Sequence, residues 1–189
     1  MSSTGIIAMG VTVETYFFKG NGRVPNSRLP LLVYRDVVAW SAIEMEDRQR
    51  SNYWNPSWHS PIGFYPQHHF HSQSHELIAV IRGEARGLFG GHDGKEVLLR
   101  KGDVVAIPAG VGHFGVSITD DLLVTGSFPA GFGVLDFRLG HPDEYYELAE
   151  TSRRVPIPAF DPFFGPGGPL PTLWSDADNG KSVPVTWTV

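Results

Sequence analysis

The chain has 189 residues and a formal net charge of −5, and its 15 Lys and Arg form no basic run, which excludes the electrostatic footprint of a nucleic-acid-binding surface. It contains no cysteine, which excludes disulfides and thiolate metal sites, and no apolar run approaches the roughly 18 residues that read as a membrane span. A chain of this length forms roughly one domain and buries on the order of 70% of its unfolded surface, so a bound metal would serve function rather than stability.

The N-terminus, MSSTGIIAMGVTVETYFFKG, has no positive n-region followed by a sustained apolar stretch. A soluble, unexported, cytoplasmic protein is expected, and the lack of cysteine is compatible with a reducing interior.

In chain order, residues 11–19 alternate weakly as a strand, and Gly, Pro and Asn make 20–30 a loop. Residues 31–35 form a second strand. A helix is predicted from Asp36, as cap, to about Gln49, because no Gly or Pro interrupts that stretch. Residues 52–68, rich in aromatics and prolines, are expected to be a long ordered connection.

Between Glu76 and Phe128, short apolar runs recur between turn signals, predicting strands near 76–81, 85–89, 96–100, 103–107, 113–118 and 122–127 in an antiparallel sandwich or barrel. Pro142, the acids after it, and Arg153-Arg154 bracket a short helix near 143–152. The tail over 155–173 carries too many prolines for regular structure and is expected to wrap the domain or a neighbouring subunit. The whole chain, 1–189, is taken as one domain: a barrel core at about 60–140, an N-terminal extension over 1–59 and a Pro-rich C-terminal wrap over 141–189.

The chemistry concentrates around His69. In an extended strand His69 and His71 point to one face and Phe70 to the other. Ser72 to His75 form a short polar break, and Glu76 opens the next strand, which returns the carboxylate beside the imidazoles. With His113 downstream, three nitrogens and one carboxylate suit a borderline divalent ion such as iron, manganese, cobalt, nickel or zinc.

Tyr65 and Gln67 share the parity of the two histidines and face the same cavity if the strand runs straight. His68 and His75 fall on the other face or in the turn, where a solvated or supporting role is expected. Trp54, Trp58 and Phe64 are read as packing residues, and Arg138 as a surface ion pair rather than an anchor for an anionic substrate.

These residues also carry a resemblance. Gly63-(five)-His69-x-His71-(four)-Glu76-(six)-Gly83 is similar to the first motif of the cupin superfamily, and Gly102-(five)-Pro108-x-Gly110-(two)-His113 to the second. One departure is Ser117, where many members have Asn. The flanks, ETYFF and DPFFGPGGPLPTLW, resemble a bacterial group of small YjlB-like cupins. The resemblance implies an all-β jelly-roll barrel with a few short flanking helices and a metal inside the barrel mouth. It implies His69, His71, Glu76 and His113 as the four ligands; the placement of His113 rests mainly on it, as does the expectation of a homodimer.

The function expected is that of a mononuclear metal-dependent enzyme acting on a small organic molecule, with oxygenase chemistry ahead of isomerase or lyase chemistry. The alternative is a non-catalytic small-molecule binding or sensing protein. No general base is assignable from the sequence, and no nucleic-acid or membrane partner is expected.

Overall fold

The computed structural model describes residues 10–37, 41–61, 64–131 and 135–189. Gly63, the first position of the glycine-histidine motif, lies outside them. The strands are β1 (Thr12–Tyr16), β2 (Leu31–Arg35), β3 (Trp54–Ser60), β4 (Glu76–Arg82), β5 (Glu84–Phe89), β6 (Lys95–Arg100), β7 (Val104–Ile107), β8 (His113–Ile118), β9 (Leu123–Pro129), β10 (Phe160–Asp161), β11 (Gly165–Pro166) and β12 (Thr186–Thr188). The helices are α1 (Ala42–Ser51), α2 (Tyr145–Arg153), entered through a 3₁₀ turn at Pro142–Glu144, and α3 (Pro169–Asp178).

Seven strands form one antiparallel sheet in the order β12-β1-β2-β7-β4-β9-β3, and β6-β5-β8 form a second. The inner faces of the two sheets share a core: Leu31, Val33, Ile78, Val80, Val105 and Ile107 meet Ala85, Phe89, Val97 and Leu99. This is the double-sheet, all-β arrangement of a jelly roll. Residues of opposite parity, Leu32, Tyr34, Leu77, Ala79, Val104 and Ala106, lie on the other side of the large sheet and are buried as well. Burial on both faces explains why Glu76-Leu-Ile-Ala-Val-Ile is almost continuously apolar rather than alternating.

The cover of that second face is the C-terminal tail. Phe163, Leu170, Leu173 and Trp174 join the same core as Tyr34 and Trp54. The expectation of an irregular tail over 155–173 is therefore corrected from residue 169 onward, where the helix Pro169–Asp178 begins. Pro169 and Pro171 occupy the first turn of α3, where the missing N–H groups would have had no intrahelical partner. Asp161 pins the segment: its carboxylate accepts from the backbone N–H of Phe163 (2.9 Å), Phe164 (3.0 Å) and Leu170 (3.0 Å) and from the Tyr34 hydroxyl (2.7 Å).

Two other expectations change. The first helix begins at Ala42, capped by Ser41 with Glu44 completing a reciprocal capping box; Asp36 instead ends β2 with a φ of 48°. Residues 38–40 lie outside the described set. The connection over 52–68 contains a strand, β3, that pairs with β9 through an irregularity between Pro56 and Trp58. A proline is tolerated there because β3 is an edge strand.

Candidate metal centre

Three elements bring the site together. The extended segment at 69–71 is bridged on one side to β8, with His69 N–H to His113 O at 3.1 Å and His113 N–H to His69 O at 2.8 Å. On its other side Phe70 exchanges two 3.0 Å hydrogen bonds with Arg138. Alternation then sends Phe70 into a separate apolar cluster with Val24 and Leu148, while His69 and His71 turn together toward the interior. Glu76 opens β4 with the parity of Ile78 and Val80, so its carboxylate points between the sheets. His113 opens β8 and supplies its imidazole from the smaller sheet.

The ligating atoms of His69, His71 and His113 all lie within 4.8 Å of one another, and all three side chains are buried. Each ring is oriented through its other nitrogen. His69 Nδ1 faces the carbonyl of Gln67 at 2.8 Å, His113 Nδ1 that of Val111 at 3.1 Å, and His71 Nδ1 that of Asp136. A carbonyl only accepts, so each Nδ1 carries the hydrogen and each Nε2 presents its lone pair.

Two of those lone pairs face Glu76: Oε2 is 3.1 Å from His113 Nε2 and 3.3 Å from His71 Nε2. With both imidazoles neutral, acceptors confront acceptors, and Oε2 is buried without a hydrogen-bond donor. Such a contact requires a positive charge between the groups, either a proton on an imidazole or a cation. For Glu76, burial works to raise the carboxyl and the imidazoles of His113 and His71 outweigh it, holding it below the usual range. For His71, burial works downward and the Glu76 carboxylate prevails, so it sits above its ordinary value. His69 is pushed down to about 3, by burial first and then by the charge of His113. Three oriented Nε2 atoms and a buried carboxylate oxygen fit a borderline divalent ion, which would take the place of that proton.

The cluster forms the floor of a cavity of about 250 Å³, whose walls include Trp58, Phe64, Ile78, Leu135 and Phe137. Phe137 stacks on His69 with ring centroids 4.2 Å apart and planes 13° apart. Tyr65 meets Phe137 edge-on at 5.0 Å, and both rings are about half exposed at the mouth. A Cβ at Gly126 would overlap the Trp58 indole, so that glycine makes room for the wall.

Of the two residues expected to share the cavity by parity, Tyr65 lines it and Gln67 does not. Pro66 and the bends around it break the extended alternation, leaving the Gln67 side chain exposed and only its carbonyl in use. His68 packs between His92 and Phe114 at 5.0 and 5.5 Å and is pushed to about 4 by burial, then by the charge of His92.

His75 is not solvated. It is fully buried, accepts the Ala109 N–H at Nδ1 (2.9 Å) and donates from Nε2 to Pro156 O (3.2 Å), which ties the turn before β8 to the tail. Trp54 is core; Phe64 is buried in the core between the sheets and Trp58 packs against it, and both also line the cavity. Arg138 is held in ion pairs with Asp136 (2.8 Å) and Glu144 (3.2 Å). Asp136 and Phe137, which support His71 and His69, carried no signal in the sequence, because their contacts span more than 60 residues of chain.

A family profile described as Cupin matches residues 62–131. The uncharacterised protein YjlB of Bacillus subtilis (strain 168) is 36% identical over 162 residues, which cover 85% of this chain and 96% of that protein. Among solved structures, RmlC from Streptococcus suis in complex with dTDP-D-xylose aligns at 12% identity and a TM-score of 0.34, over 63% of this chain and 74% of that one. Oxalate decarboxylase from Bacillus subtilis aligns at 20% identity and a TM-score of 0.35, over 57% of this chain and 27% of that one. With the double-motif histidines, the jelly-roll sheets and a relative alike over nearly its whole length, this chain belongs to the cupin family.

Proposed function

We propose that the protein holds one divalent metal ion, iron, manganese, nickel or zinc, through His69, His71, Glu76 and His113, and that it is a metal-dependent enzyme acting on a small organic molecule. The observation that carries this reading is Glu76 Oε2, buried without a donor and facing two imidazole nitrogens whose partners are already committed to carbonyls. An ion held there supplies Lewis-acid or oxygen-activating chemistry beside the cavity. The residues of the chain orient the ring nitrogens, keep the carboxylate charged and surround the reacting end of a ligand with apolar wall.

Oxygenase chemistry stands first because, among the described lining residues, only Ser60 and Tyr65 are polar outside the four candidate ligands. Isomerase and lyase reactions call for a positioned acid or base, and among the described lining residues the Tyr65 phenol, half exposed at the mouth, is the one titratable group beside the four candidate ligands. The same observation supports a second reading, a binding or sensing barrel in which the metal and the pocket only hold the molecule. Turnover separates the two: a binder is stabilised by its ligand and consumes none. As its setting we assign a cytoplasmic homodimer with a small-molecule ligand, for which sedimentation analysis is the check.

The test of the centre is elemental analysis of protein purified without a metal-affinity tag, wild type beside His113→Ala. About one metal per chain, lost in the variant, is the expected result. Wild type without metal after anaerobic reconstitution overturns the reading.

A further inference from the structure

Charge is distributed very unevenly around the cavity. Glu76 is the one carboxylate in its lining, and no Lys or Arg lines it. The residues outside the described set, 1–9, 38–40, 62–63 and 132–134, contain no Lys, Arg, Asp or Glu, so every charged side chain of the protein has a described position. The guanidinium nearest in sequence to the wall, Arg138, is occupied by Asp136 and Glu144. With a divalent ion and Glu76 on the floor, the site has one net positive charge, and among the described lining residues no Lys or Arg adds a second to meet a further anionic group.

Above that floor the surface is mainly apolar and partly exposed. Leu135, Phe137 and Tyr65 are 48%, 44% and 52% exposed at the mouth, an apolar rim that a ligand would cover. Phe137 is held by its stack on His69 and by the Tyr65 edge, which leaves a rigid aromatic wall at low ordering cost. At about 250 Å³ the space falls below the roughly 300 Å³ lower end of drug-sized pockets, so it suits a single ring or a short branched chain.

We propose that this site selects a small, mainly apolar or aromatic molecule with a single anionic or neutral oxygen donor, and rejects dianions of the same shape. The polar end of this proposal rests on the metal reading; the wall does not. One negative charge is compensated at the floor. A second carried into the cavity would be placed against Trp58 or Ile78 with no cation beside it, and desolvating an unpaired charge is costly.

The test uses two isosteric probes, 3-nitrobenzoate and isophthalate, which differ in whether the second planar group is neutral or charged. Both are titrated calorimetrically into zinc-loaded protein, with phenol titrated into the zinc-loaded and the metal-stripped protein and the metal content of each sample measured. The expected result is 3-nitrobenzoate binding at least roughly tenfold tighter than isophthalate, with phenol still binding the stripped protein. Leu135→Arg, a change at a half-exposed rim position, should narrow or reverse that ratio while leaving metal content unchanged.

Isophthalate binding as tightly as 3-nitrobenzoate overturns the selectivity and leaves the metal centre standing. Phenol seated in a protein that never takes up metal supports the apolar wall and sinks the metal reading. Phenol bound by neither form overturns the proposal.

Discussion

The carbonyl of Asp136 accepts the Nδ1–H of His71, while its carboxylate accepts from Ser72 N–H at 2.8 Å, Ser72 Oγ at 2.7 Å and Gln73 N–H at 3.1 Å. One residue thus sets the ring orientation of a candidate ligand and fixes the turn that separates it from Glu76. Arg138 completes the arrangement by donating to the same carboxylate at 2.8 Å.

Replacing Asp136 by Ala should free that turn and loosen His71. The expected loss in metal affinity is about 10- to 100-fold, the usual scale for residues that orient a ligand from behind, measured by competition with a chromogenic chelator. Asp136→Asn keeps the oxygen that accepts from the Ser72 and Gln73 amides and should lose less. Equal affinity in wild type and Asp136→Ala would show that the carbonyl alone holds the ring.

Asp161 plays the corresponding part for the tail. Its removal leaves three backbone N–H groups and the Tyr34 hydroxyl without an acceptor, all buried except the partly buried Phe164 N–H. Asp161→Ala should destabilise the fold by about 3–5 kcal/mol, because each orphaned buried donor costs about 1–3 kcal/mol and some regain water. The urea midpoint reads this directly; a shift under about 1 kcal/mol would mean the tail is held by packing alone.

Trp174 is the test of that packing. Its ring is fully buried against the large sheet, it touches His75 at a centroid distance of 4.6 Å, and its Nε1–H donates to Pro30 O at 2.8 Å. Trp174→Ala should cost about 3–5 kcal/mol by cavity formation, visible as a lowered urea midpoint. Trp174→Phe should recover most of the packing but not the hydrogen bond.

Glu14 is one contributor to the pH dependence of stability that lies away from the metal centre. Arg35 donates to both oxygens of Glu14 at 2.9 Å and to Asp103 at 2.8 Å, linking β1, β2 and the turn before β7. The Arg35 contact, offset in part by burial and aided by the Tyr16 hydroxyl, holds the Glu14 carboxyl below its ordinary 4.5. A carboxylate lowered in the folded state stabilises above the unfolded value, and that contribution is lost as pH falls through the folded value. Wild type should therefore melt about 2–4 °C above Glu14→Gln at neutral pH, with the gap closing progressively below pH 4.5. A gap that persists unchanged well below that pH would assign the effect to shape rather than charge.

What the sequence determined by itself was local. Strands from Glu76 to Pro129 were legible because turn residues punctuate short apolar runs, and the cupin resemblance rests on residues at fixed short spacings. The convergence of His69 and His71 on one face follows from a period of two and needs no partner strand. Spacing could not reveal β3, since Pro56 reads as a break until an edge position makes its missing N–H harmless. Nor could it reveal α3, where prolines count against a helix except in the first turn.

Only the tertiary structure decided which residues meet across sheets and loops. The bridge between His69 and His113, the carbonyl of Asp136 behind His71, the Phe137 ring on His69 and the burial of His75 all depend on how distant segments are brought together. Gln67 shows the converse: parity placed it in the cavity, and the bend at Pro66 turned its side chain to solvent. Local sequence sets the direction of a side chain relative to its own strand, whereas the partners it finds are set by packing over many tens of residues.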